Sequence, residues 1–334
     1  MATNVGGNFH VSDRLLEVTD LRTSYVALGG QRVVRAVDGA SFGIDRGECL
    51  GLVGESGSGK TTVCLSVVGL LPRGARVESG SIQFNGQELI GAAQHTINAV
   101  RGRRIAMILQ DPMASLNPLL TIFDQVAEPA FYHRAQRGST LKHHVLSLLE
   151  AVRIPSPERR MTEFPHQMSG GMRQRVVGAV ALSAGPELII ADEPTTNLDV
   201  TIQAQYLSLL KDLQRRTGVA LLFVTHNLGI VARMCDRVAV MYAGRIVEQG
   251  PVRDLFKNPR HPYTQALLNS IPRLGSKEPL YAIPGQPPDL SEPPTGCAFH
   301  PRCPHAWDQC RTGEPPEMDA GPRHLARCWM LHPT

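Results

Sequence analysis

The sequence predicts an α/β protein with a parallel sheet at its centre, an antiparallel β subdomain, a helical insert and a loop-rich C-terminal extension. Three observations predict it. A buried strand, a glycine loop and a helix follow one another in "CLGLVGESGSGKTTVCLSVVGLL". From residue 188, apolar strands alternate with amphipathic helices in "LIIADEP", "IQAQYLSLLKDLQRR" and "ALLFVTHN", the pattern of parallel strands joined by crossover helices. Sixteen of the 25 prolines fall after residue 250, and proline disfavours both helix interiors and paired strands.

Each element has its own warrant. Residues 15 to 48 alternate apolar and polar positions with turn residues between, which predicts antiparallel strands. "SGSIQFNGQEL" predicts a hairpin turning at Asn85-Gly86, a pair that accepts positive φ at both positions. "RIAMILQDP" reads as a buried strand broken by Pro112. From about 112 to 167 the pattern is mostly helical with prolines at the joints, and "LKHHVLSLLEAVRI" is its clearest amphipathic piece. "RVAVMYAGRIVEQG" predicts two strands closing the core.

Composition excludes some classes of function. With 42% hydrophobic and 19% charged residues the chain is an ordinary globular one. A net charge of +4, from 34 basic and 30 acidic residues, is too small to argue for nucleic acid. No apolar run reaches the roughly 18 residues that span a bilayer, and "MATNVGGNFHVSDR" lacks the apolar core of a signal peptide. The expectation is a cytosolic protein that meets a membrane only through a partner.

The chemistry concentrates at strand ends. Gly54-Glu55-Ser56-Gly57-Ser58-Gly59-Lys60-Thr61 fits G-x-x-x-x-G-K-[ST]. The glycines let successive N–H groups curl around phosphates, Lys60 reaches the same phosphates, and the Thr61 hydroxyl can hold Mg²⁺. Asp192 and Glu193 end the strand "ELIIADEP", where the first acid can complete a Mg²⁺ shell and the second can act as general base. Gln110 and His226 end two more apolar strands, and in a parallel sheet such ends converge on the ligand crevice. In "MSGGMRQR", Ser169 followed by Gly170 and Gly171 reads as a capped helix start, which suits an anion. One phosphate loop accommodates one nucleotide, so this second anion site is surplus unless it caps the nucleotide of another chain in a head-to-tail dimer.

At this point the sequence resembles the ATP-binding subunits of ABC transporters. "MSGGMRQR" looks like their LSGGQ signature with Met168 and Met172 in place of Leu and Gln. The resemblance implies ATP and Mg²⁺ as cofactors, with Gly54 to Thr61 and the adjoining Thr62 around the nucleotide. It also implies Tyr25 as a stacking partner for adenine, although a surface or core tyrosine reads the same way. Thr61, Gln110 and Asp192 would hold the metal, and Glu193, His226 and Gln110 would serve hydrolysis. Ser169, Gly170 and Gly171 would contact the partner's ATP, with Asp199 in the "TTNLD" loop. Asn197 and Asn227 depart from the family pattern at that loop and after His226.

Within the family, "QDPMASLNP", "RHPYTQALL" and "CAFHPRCPHAWDQC" are similar to the oligopeptide and dipeptide importers, whose relatives include nickel and glutathione importers. That resemblance implies an ATP-binding domain over 15–254, with a helical subdomain near 112–167, and an importer extension over 255–334. It implies a peripheral protein on the cytoplasmic face of the cell membrane. Its partners would be a second ATPase subunit (identical or paralogous), two permease subunits that dock on the helical insert, and an external solute-binding protein. Soluble ABC ATPases of repair or translation are the rival class. The chain lacks the heptad runs of the first and the second phosphate loop of the other.

Seven cysteines divide into two sets. Cys49, Cys64 and Cys235 lie among apolar neighbours as free core thiols. Cys297, Cys303, Cys310 and Cys328 crowd the proline-rich tail, where a small unit needs a staple. Four thiolates suit either an iron–sulfur cluster or zinc. The spacing lacks C-x2-C knuckles, and the resembled branch carries a [4Fe–4S] cluster, so that is favoured, with zinc second and unliganded thiols third. His300 and His305 read as loop residues.

Overall fold

A computed structural model describes residues 13–27, 32–111, 115–196, 198–272 and 281–331. Pro112, the start of the expected helical insert, and Asn197 lie outside these residues. The antiparallel sheet comprises β1 (Arg14–Ala27), β2 (Arg32–Asp45), β4 (Ala75–Phe84) and β5 (Gln87–Glu88), in the order β2-β1-β4-β5. The hairpin turns where expected, with Asn85 and Gly86 both at positive φ, 52° and 72°, as the tight two-residue connection demands.

The second sheet holds β3 (Cys49–Val53), β6 (Ile105–Ile108), β7 (Leu188–Asp192), β8 (Ala220–Thr225), β9 (Arg237–Tyr242), β10 (Arg245–Pro251), β11 (Met318–Gly321) and β12 (His324–Ala326). Their order is β11-β12-β10-β9-β3-β8-β7-β6. The run β9-β3-β8-β7-β6 is parallel, and β10, β12 and β11 extend it antiparallel. The parallel strands read as continuous apolar runs because both faces are covered. On β3, Cys49 and Val53 join one apolar cluster while Leu50 and Leu52 join the other. On β8, Leu221 and Phe223 divide in the same way from Leu222 and Val224, as the two-residue period of a strand requires.

Helix α1 (Lys60–Val67) follows β3, and α2 (Gln94–Val100), which the sequence pattern does not announce, precedes β6. The helical insert contains α3 (Ile122–Arg134), α4 (Gly138–Ala151) and the short α5 (Pro157–Arg160). A capping box between Thr121 and Asp124 starts α3, and Pro129 lies inside it. Then α6 (Gly170–Ser183), α7 (Val200–Thr217) and α8 (Leu228–Met234) complete the core.

The tail is loop-rich, as expected, with short regular pieces that join it to the core. It carries α9 (Val252–Lys257), α10 (Pro262–Asn269) and α11 (Asp308–Thr312), and its hairpin β11–β12 adds to the core sheet at β10. Glu248 of β10, 1% exposed, accepts the N–H groups of Arg260 and His261 at 2.7 and 2.9 Å and meets His324 Nε2 at 2.7 Å. These bonds satisfy a carboxylate that burial alone would penalise. Tyr242 of β9 packs on Tyr263 and Phe299 of the tail, with ring centroids 4.5 and 5.2 Å apart. Prolines limit regular structure within the tail, but they do not prevent it from sharing the core's apolar surface.

Candidate active site

Four strand ends open on one cleft of about 660 Å³. Strand β3 delivers the glycine loop, β6 delivers Gln110, β7 delivers Glu193 and β8 delivers His226, with the buried Asp192 of β7 hydrogen-bonded to the cleft residue Thr61. The loop backbone is pressed against its neighbours. A Cβ on Gly54 would sit 2.1 Å from the Met241 carbonyl oxygen, and one on Gly59 would sit 2.2 Å from that of Ala36. Gly59 also has φ of 105°, which only glycine adopts readily. These glycines are required by the chain's own packing as well as by any ligand.

Lys60 starts α1, nearly buried, and its ammonium donates to the carbonyls of Gly54 and Glu55, both at 2.9 Å. Burial lowers its pKa, while Glu193 and Asp192 oppose that shift. Asp192 is 5% exposed, and its Oδ1 is buried without a hydrogen-bond partner. Burial raises its pKa, against a hydrogen bond from Thr61. The Oγ of Ser58 is likewise buried without a partner. An orphaned carboxylate oxygen beside a threonine hydroxyl and a lysine fits a site for a hard cation.

Glu193 is held by three side chains. His226 Nδ1 lies 3.2 Å from Oε1, while Thr196 Oγ1 and Gln110 Nε2 donate to Oε2 at 3.0 and 3.4 Å. Burial works to raise its pKa, but the hydrogen bonds from His226 and Thr196 prevail and hold it below the ordinary carboxylate value. Its backbone sits at φ 46°, left-handed for a non-glycine residue, and its N–H is fixed to the Val224 carbonyl at 2.9 Å. Strain of this kind persists where the surroundings over-determine it.

Tyr25 lines the other end of the cleft beside Val34, Ala36 and Leu290, with its hydroxyl 3.1 Å from Thr62 Oγ1. Ser56, Gly57, Gly59, Lys60, Thr61, Gln110, Glu193 and His226 line the cleft as the sequence leads one to expect. Gly54, Ser58 and Asp192 are buried and do not line it, and other expected residues lie elsewhere. Glu55 turns its carboxylate to Arg302 of the tail, at 2.8 and 3.1 Å. Asp199 caps α7, accepting the N–H groups of Thr201 and Ile202 at 3.0 Å each. Asn227 caps α8 in the same way, at 2.9 and 3.3 Å. Ser169 is the cap of α6, with Ser169 and Gly170 exposed and outside the cleft. Val34, Ala36, Thr196 and Leu290 complete the site without having been singled out. The alternation of "RVVRAVD" could have exposed the first two, but Leu290 between prolines carries no local signal.

The four tail cysteines line one small cavity with His261, Phe299, His300, His305, Trp307 and Trp329. Burial pushes the Cys297 and Cys328 thiols up to about 11 and raises Cys303 as well. Among the described residues, however, no group of three or more His, Cys, Asp or Glu side chains is arranged to hold a metal ion. The expected iron–sulfur centre and its zinc alternative thus find a shared cavity but no ligand geometry. Cys49, Cys64 and Cys235 are buried free thiols as expected, with the first and third sulfurs 3.6 Å apart.

A parallel sheet whose strand ends gather a glycine-rich loop, two acids, a glutamine and a histidine defines a P-loop nucleotide hydrolase. Comparison with known proteins narrows the class. The ABC transporter family model matches residues 37–196, and the model of the oligopeptide/dipeptide transporter C-terminal region matches 247–310. The oligopeptide transport ATP-binding protein OppD of Bacillus subtilis is 49% identical over 96% of this chain and 90% of its own. The dipeptide transport ATP-binding protein DppD of the same species is 46% identical over 95% of each chain. A dimeric bacterial ABC transporter cassette superposes with a TM-score of 0.64 at 26% identity, covering 72% of this chain and 99% of that one. The chain belongs to the ABC transporter family as an ATP-binding, ATP-hydrolysing subunit. Among its described residues no helix is long and apolar enough to cross a membrane.

Proposed function

We propose that this chain powers the import of oligopeptides or dipeptides, as one of two ATPase subunits bound peripherally to the cytoplasmic side of a membrane permease. The observation that carries the reading is the match of its C-terminal region, 247–310, to that of oligopeptide/dipeptide transporters, on a chain similar along nearly its whole length to OppD and DppD. The proposed division is an ATP-binding domain over 15–254, a helical subdomain near 112–167 and an extension over 255–334. A groove of about 800 Å³ between β6 and helices α3 and α6, lined by Leu109, Leu116, Pro129, Tyr132 and Val180 among others, suits an apolar segment of the permease. A solute-binding protein outside the membrane would deliver the peptide.

In this reading Gly54 to Thr62 hold the ATP phosphates, and Lys60 exchanges loop carbonyls for phosphate oxygens. Thr61, Asp192 and Gln110 would hold Mg²⁺. The metal supplies charge neutralisation on the phosphates. Glu193, ionised and fixed by His226, Thr196 and Gln110, takes the proton of the attacking water. Ser169, Gly170 and Gly171, which do not line their own cleft, would cap the ATP of the second subunit. For the tail we infer a [4Fe–4S] cluster on Cys297, Cys303, Cys310 and Cys328, with zinc as the alternative. It rests on four soft donors that line one cavity, which would have to close on the cluster, since they are not arranged as ligands here.

Peptide uptake by cells, measured together with ATP turnover, tests the function. Glu193→Gln is expected to bind Mg-ATP, to hydrolyse it about 10²–10⁴-fold more slowly and to abolish uptake of a labelled peptide. Near-normal turnover in that variant would remove Glu193 as the base. Normal peptide uptake by cells lacking the chain would remove the import role.

A further inference from the structure

One residue of the extension reaches the active-site cleft itself. Leu290 shares the end of the cleft away from the catalytic acids with Tyr25, Val34 and Ala36. Its backbone is fastened to β2: the Arg35 N–H donates to the Leu290 carbonyl at 3.0 Å. On either side, Arg32 pairs with the Asp289 carboxylate, and its Nε donates to Ser291 Oγ at 3.0 Å. Asp289 in turn accepts the Ser291 N–H at 2.9 Å and its hydroxyl at 2.7 Å. Three successive tail residues are therefore tied to the strand whose Val34 and Ala36 line the cleft. Leu290 is half-buried and packs against the core.

We propose that Leu290 is a nucleotide-base contact, so that the extension closes the base end of the cleft. The proposal rests on the reading of this cleft as the nucleotide site and deepens it. A purine presents two apolar faces, one for the Tyr25 ring and the rest for the wall of Val34, Ala36 and Leu290. Those three side chains offer no hydrogen-bond donor or acceptor, so they hold the base by excluded water and close packing, and they treat adenine and guanine alike.

Calorimetric titration of the full chain with Mg-ATP, Mg-GTP and Mg-tripolyphosphate, which lacks base and sugar, tests this. Leu290→Ala should weaken ATP and GTP by about 3- to 10-fold, the loss expected from two or so partly buried carbon groups. It should leave tripolyphosphate unchanged. Leu290→Met, which keeps the apolar volume, should bind all three as the native chain does. Unchanged ATP affinity in Leu290→Ala, or an equal loss for tripolyphosphate, overturns the contact. Lys60→Ala should weaken all three ligands. If it weakens none, the cleft is not the phosphate site, and the proposal falls with that reading.

Discussion

Glu55 belongs to the phosphate loop by sequence, yet its carboxylate faces Arg302, 247 residues further on. The guanidinium side chain is 4% exposed against 27% for Glu55, and its Nε also donates to the Pro284 carbonyl at 2.8 Å. A forked, largely desolvated pair of this kind loses more when one partner is removed than the pair itself is worth. Arg302→Met is expected to cost roughly 2–4 kcal/mol of stability and to raise the ATP concentration needed for half-maximal turnover. The double variant with Glu55→Gln should cost less than the sum of the two single changes, by about 1–3 kcal/mol. Denaturant unfolding of the four proteins gives that difference, and strict additivity would show that the contact carries no energy. At this scale the sequence is legible where a residue's role is local. Lys60, Asp192 and Glu193 announce themselves at a loop and a strand tip. Arg302 and Leu290 act on residues more than two hundred positions away, and nothing beside them in the chain records it. Asp199 and Asn227 also serve locally, since each caps the helix that follows it.

Among the elements, α6 separates what a helix needs from what its partner needs. Ser169 accepts the Met172 N–H at 3.4 Å, a weak cap, and a Cβ on Gly171 would meet Ile202 of α7 at 2.8 Å. A Cβ on Gly170 would meet nothing within 4 Å, so Gly170 and the exposed Ser169 are not explained by packing inside this chain. Ser169→Ala should therefore cost about 1 kcal/mol of stability at most. Ser169→Arg should leave ATP binding to the isolated subunit intact while abolishing hydrolysis and ATP-driven dimerisation, because a bulky cation blocks the approach of the helix N-terminus to a neighbour's nucleotide. Filter binding and sedimentation of the same samples separate these outcomes; loss of binding by the monomer would assign α6 to its own cleft. The elements themselves are legible where periodicity is strong, as in the parallel strands with two apolar faces and the hairpin at Asn85-Gly86. Helix α2 is not, because only Val100 on it is buried and no apolar stripe marks it. The closing pair β9–β10 is legible, but its continuation into β12 and β11 is not.

Across the whole molecule, the tail matters because its anchors lie far apart in sequence. Its hairpin pairs with β10, His324 meets Glu248 across 76 positions, and Phe299 and Tyr263 pack on Tyr242. Proline content correctly excludes long helices there but is silent about this docking, which depends on surfaces that exist only after the core folds. The cysteine cavity sits within the same arrangement, and Arg302, which reaches the phosphate loop, is the immediate neighbour of Cys303. Burial keeps Cys297, Cys303 and Cys328 protonated when nothing positive is near, so binding an iron–sulfur cluster there requires the ion charges to offset that cost. If the proposed [4Fe–4S] cluster forms, anaerobically purified protein is brown, with about four irons per chain. Cys303→Ser and Cys310→Ser should each bleach it and speed proteolysis after residue 290. Cys303→Ser should in addition weaken ATP binding, since loosening the backbone at 303 loosens Arg302 and with it the hold on Glu55. Colourless protein with one zinc per chain would replace iron while keeping the cavity's structural role. Metal-free protein whose proteolysis is unaffected by either substitution would leave the aromatic cluster and the β10–β12 pairing as what holds the tail against the nucleotide site.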